Sequence, residues 1–129
     1  MIEFSTTVVD PASAPPLVPI EQPIDVAHLA RMTLGDASLE HEVLQLFDRQ
    51  AEILLARIRQ AVPAAAASHA HTLKGSSSSI GAWKVAHAAE VVEFAARSNG
   101  AANVASAIGA LEAAIVEARA VIADLLRAH

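Results

Sequence analysis

The chain has no cysteine and no tyrosine, and only one tryptophan and three phenylalanines in 129 residues. Without thiols there are no disulfides and no thiolate metal sites. With 3% aromatic residues and almost no Val-Ile-Thr alternation, there is little from which to build a sheet. Only two lysines occur, Lys74 and Lys84, and the formal net charge is −5; this argues against a basic nucleic-acid footprint. No apolar run approaches the roughly 18 residues of a membrane span. Met1-Ile2-Glu3-Phe4 lacks the basic region that opens a secretory signal. A cytoplasmic protein with no membrane association is the expectation.

What the chain has in abundance is alanine, 30 residues of it. Alanine is the best helix former and lets helices approach closely. The fold class is therefore all-α, and the length suits one domain with one moderate core.

Five of the six prolines lie in residues 1–23, so this segment reads as extended or disordered. Residues 24–129 read as the helical domain. Asp25 suits the N-cap of a short helix ending near Leu34, and Asp36 follows Gly35 as the cap of the next. Residues 37–61 form a long amphipathic helix with Leu39, Val43, Leu46, Phe47, Ile53, Leu54 and Ile58 as its apolar side. Pro63 suits the first turn of a third helix, which Gly81 ends. A fourth helix runs from Trp83 to Ser98, with Val85, Ala89, Val92 and Ala96 on one face. Ser98-Asn99-Gly100 is a stop signal. Asn103 is the expected cap of the last helix, whose Val104, Ile108, Leu111, Ile115, Ala118, Ile122 and Leu125 follow a 4-3-4-3 spacing. Four long helices with short connections predict an antiparallel four-helix bundle with a short extra N-terminal helix.

The third helix carries the candidate site. Its apolar stripe is Ala66, Ala70, Leu73, Ser77 and Ile80. At 100° per residue His71 lies roughly 140° from the centre of that stripe and projects into solvent, while His69 lies about 60° away, at the core boundary. Ala67 and Ser78 fall on the His71 side, and Lys74 is beside it. Gly75 sits in a helix interior where glycine costs about 1 kcal/mol relative to alanine; a helix built only to pack has no use for it. An imidazole in water titrates at about pH 6.5, so a neutral nucleophilic nitrogen is available at neutral pH. A lysine one turn on can hold an anion placed on that nitrogen, and bare backbone at a glycine admits close approach of another protein. These are the requirements for accepting a phosphoryl group. His28, His41, His87 and His129 are expected to be ordinary solvated histidines. His87 also faces outward, but its neighbour one turn on is Glu90, which repels phosphate.

The run His71-Thr72-Leu73-Lys74-Gly75-Ser76-Ser77-Ser78-Ser79-Ile80-Gly81 resembles the motif of the histidine-containing phosphotransfer (HPt) domains of bacterial phosphorelays. Val85, Ala89, Val92 and Glu93 fall where the family has an apolar series ending in Leu-Glu. Leu34-Gly35-Asp36 and the Glu42-to-Phe47 stretch are also similar, so the resemblance covers about residues 24–128. It implies that His71 takes a phosphoryl group, through Nε2, from an aspartyl phosphate on a response-regulator receiver, including one on a hybrid sensor kinase, and passes it to another. Lys74 would steady the phosphate, Gly75 would give the receiver room, and Ala67 and Ser78 would lie on the docking surface. The receiver would bring acidic residues and Mg²⁺, leaving this chain with no intrinsic cofactor or metal. A monomer is expected.

Three other readings fit these residues less well. A histidine-kinase acceptor helix has an acidic residue after its histidine and a proline turn beyond; Thr72 follows His71 and the helix has no later proline, so autokinase activity is not expected. A bundle that docks a signalling partner without accepting phosphate has no reason to keep the helix-weakening Gly75. A metal site formed by His69 and His71 fails because the two point roughly 200° apart on a helix.

Overall fold

The computed structural model describes residues 22–98 and 100–128. The proline-rich stretch up to residue 21, Asn99 and His129 lie outside the described residues, and so do the expectations placed on them. Five helices follow in order: α1 (Val26–Met32), α2 (Ala37–Gln60), α3 (Pro63–Ser79), α4 (Trp83–Arg97) and α5 (Ala101–Ala128). Helices α2 to α5 form the antiparallel bundle, with α3 against α4, α4 against α5, and α2 closing the ring against both α3 and α5.

Local chemistry sets the boundaries. Asp25 and Asp36 are the N-caps of α1 and α2; their carboxylates accept from the amides of His28 at 3.1 Å and Leu39 at 3.0 Å. Pro63 occupies the first turn of α3, where its missing N–H costs nothing. Helix α5 begins at Ala101, three residues earlier than a cap at Asn103 would place it. The Gly100 carbonyl accepts from Val104 N at 2.8 Å, so Asn103 lies within the first turn and is not the cap.

The core is aliphatic and alanine-rich. The stripe predicted for α3 is buried throughout, as are Val85, Ala89, Val92 and Ala96 of α4 and Leu111, Ile115, Ala118 and Ile122 of α5. Helix α2 departs from expectation. Its buried residues are Leu44, Phe47, Ala51, Leu54, Leu55 and Ile58, whereas Leu39, Leu46 and Ile53 are exposed. Leu39, Leu46 and Ile53 recur every seven residues and form a second apolar line, turned away from α3 and α5.

Helix α1 is fastened to the end of the bundle that joins α3 to α4. Asp25 N donates to the Gly81 carbonyl at 2.9 Å, and the Trp83 indole N–H donates to Asp25 Oδ2 at 3.0 Å. The His28 ring packs against the Trp83 ring at 4.9 Å, and its Nε2 is buried without a hydrogen-bond partner. His28 is thus a packed residue rather than the solvated one expected. The Trp83 indole holds the Asp25 carboxyl below the usual aspartate range against the opposing effect of burial, with the His28 amide adding to it. A carboxyl whose pKa is lowered by folding stabilises the fold above its unfolded pKa, and this is lost as pH falls through the folded value. Stability is therefore expected to drop as pH falls below about 4. Trp83→Phe keeps the ring and removes the donor, so it should reduce the difference in urea midpoint between about pH 6 and about pH 3. An equal difference in both proteins would contradict the assignment to this hydrogen bond.

Candidate functional site

His71 stands in the middle of α3 with its side chain 64% exposed. Across the α3–α4 interface, its Nδ1 lies 3.2 and 3.3 Å from the two carboxylate oxygens of Glu93. Glu93 itself is only 15% exposed and also accepts from Arg97, one turn further along α4, at 2.9 Å. The Arg97 hydrogen bond is the main influence holding the Glu93 carboxyl below its ordinary range; burial opposes it, and the contact with His71 reinforces it. An ionised carboxylate only accepts hydrogen bonds. Nδ1 therefore carries the hydrogen, and in the neutral ring the free electron pair resides on Nε2.

The expected neighbours of His71 are arranged as follows. Lys74 is half-buried, with its ammonium 3.8 Å from the Glu90 carboxylate on α4. Gly75 is exposed, and a Cβ built there meets nothing within 4 Å. Ser78 is half-buried on the same side. His69 is half-buried and His87 exposed, as their positions on the helix wheel predicted. Among the described residues, no group of three or more His, Asp or Glu side chains is placed to hold a metal ion.

Ala67 is a correction. It is 0% exposed and belongs to the core, so it contributes nothing to a docking surface. Helix α3 packs against both α2 and α4, and its buried arc is wider than one 4-3-4-3 stripe: Ala66, Ala67 and Ala70 are all inside. The expected role rested on the stripe's centre and ignored its width.

Glu93 is the site residue to which the sequence reading gave no role in holding His71. The signal was present. His71 precedes Gly81 by ten residues and Glu93 follows it by twelve, and in an antiparallel helical hairpin such positions lie near the same level. What the sequence did not disclose was that the α4 face carrying Glu93 turns toward His71.

A family model described as the Hpt domain matches residues 42–121. A rice chain solved by X-ray crystallography and assigned as a histidine-containing phosphotransfer protein has a similar fold. The TM-score is 0.73 at 20% sequence identity, over 83% of this chain and 81% of the rice chain. No curated protein matches the sequence. Among the described residues, no helix is long and apolar enough to cross a membrane.

Proposed function

The chain belongs to the Hpt domain family, which gives it a phosphotransfer role with receiver-type partners, and on that premise we propose that Nε2 of His71 takes the phosphoryl group from a receiver's aspartyl phosphate and hands it to a second receiver. The observation that carries this reading is the exposed imidazole whose Nδ1–H is committed to Glu93. The electron pair of Nε2 attacks phosphorus, the P–N bond forms, and the P–O bond to the aspartate breaks, releasing a carboxylate. Unloading reverses the roles, and the pair returns to Nε2. Catalysis of such transfers is chiefly positioning and neutralisation of charge. Lys74 supplies a cation one helical turn from the acceptor, Gly75 leaves the approach clear, and Ser78 is a peripheral contact. The receiver brings the acidic residues and Mg²⁺. In this reading the chain acts as a cytoplasmic monomer and a carrier without autokinase activity.

The test is to incubate the chain with phosphorylated receiver domains from its source organism, one at a time. Transfer of an acid-labile, base-stable label from at least one of them is expected; no transfer from any would sink the reading. Glu93 adds a sharper prediction. Glu93→Ala removes the acceptor that fixes the ring, and a hydrogen bond of this kind is worth a loading rate about 2- to 10-fold slower when lost. Glu93→Gln keeps an oxygen for Nδ1–H and should lose less. The rate of label arrival, with helicity unchanged by circular dichroism, checks both; equal rates in all three proteins would remove Glu93 from the account.

A further inference from the structure

Resting on the assignment of His71 as acceptor, we propose that Glu90 is a positioning residue that keeps the phosphoryl group on His71 ready to leave, by competing for Lys74. Two carboxylates of α4 reach α3 here, Glu93 at the imidazole and Glu90 at Lys74, and their engagements differ. Glu93 is committed, with His71 on one side and Arg97 at 2.9 Å on the other. Glu90 is 61% exposed, and its Oε2 lies 3.8 Å from the Lys74 ammonium. That separation is beyond hydrogen-bond length, so the ammonium is attracted without being tied down. Lys74 is the one lysine of α3, and it lies one helical turn from His71, on a neighbouring part of the helix surface.

A phosphoryl group on Nε2 brings a charge of about −1.5 to −2. It draws Lys74 toward it, and Glu90 resists this in two ways: it holds part of the ammonium's attraction, and it repels the new anion. The phosphorylated state is therefore less favourable than it would be without Glu90, and onward transfer to a second aspartate is correspondingly favoured. Glu90 forms and breaks no bond in either transfer. It acts on the P–N bond only through Lys74 and the local field, and Nδ1–H remains on Glu93 throughout.

The experiment measures how the label partitions at equilibrium between the full chain and the receiver domain that loads it most rapidly. Exposed ion pairs of this type are worth about two- to five-fold in an equilibrium. Glu90→Gln is expected to shift the partition by that factor toward phosphohistidine, and Lys74→Ala to shift it the other way. In a Lys74→Ala background the Glu90→Gln shift should be smaller than in the wild type, and raising the salt to about 1 M should shrink it. A purely structural role for Glu90 moves neither of these. An unchanged partition in Glu90→Gln, or an equal shift with and without Lys74, overturns the inference and leaves His71 as acceptor. A wild-type chain that no receiver loads overturns the acceptor assignment and this inference together.

Discussion

His71→Gln is expected to eliminate phosphoryl acceptance while leaving the bundle intact. His71 is 64% exposed and contacts α4 through Glu93 alone among the hydrogen bonds and ion pairs described. Glutamine is at least as good a helix former as histidine, and a surface substitution of this kind changes stability within about 0.5 kcal/mol. Glutamine has no basic nitrogen, so the attack on phosphorus has no electron pair to start from. Among the described residues, neither His69 nor His87 is equipped to substitute. His69 is half-buried, and exposed His87 has Glu90 one turn on. The expected result is full helicity, an unchanged urea midpoint and no acid-labile label from a receiver that loads the wild type. Persistent labelling would place the acceptor elsewhere.

Gly81→Ala should have the largest effect on stability. Gly81 has φ +82°, and a Cβ there would lie 2.9 Å from the Asp25 carbonyl oxygen and 3.0 Å from Asp25 Cβ. Asp25 has little freedom to retreat, because its amide donates to the Gly81 carbonyl and its carboxylate accepts from Trp83. The left-handed backbone costs a side-chain-bearing residue about 1–2 kcal/mol, and disturbing one of these hydrogen bonds adds about 1 kcal/mol. A loss of about 2–3 kcal/mol is expected in urea titration, together with a change in Trp83 fluorescence as α1 loosens. Gly75→Ala is the contrasting case. Nothing lies within 4 Å of a Cβ at that position, so the helix should gain up to about 1 kcal/mol while a receiver meets an added methyl and loads the chain more slowly. A Gly81→Ala protein as stable as the wild type would show that the α1 attachment tolerates the strain. A Gly75→Ala protein that loads at the wild-type rate would show that bare backbone there is not needed.

The features legible in the sequence were those with a local cause. Asp25, Asp36, Pro63 and Gly81 mark helix ends through their own backbone chemistry, and each acts where it was expected. The outward direction of His71 followed from the stripe on its own helix. Features that depend on neighbouring helices were hidden. Helix α2 has two apolar lines, and the large side chains of the wrong one, Leu39, Leu46 and Ile53, outweighed a true core face that includes Ala51. Where a helix carries two apolar lines, its own periodicity does not say which of them the rest of the bundle covers. Ala67 was misplaced for a related reason, since α3 is flanked on two sides. His28 packs against Trp83 from 55 residues away in sequence, a contact that no pattern within α1 announces.

The account turns on which nitrogen of which histidine carries phosphate. Long-range ¹H–¹⁵N correlation spectra of the receiver-loaded, ¹⁵N-histidine-labelled chain report this directly. Phosphorylation at Nε2 of His71, with the proton retained on Nδ1, is the predicted result. Phosphate on Nδ1 of His71, or on any other histidine, would contradict it.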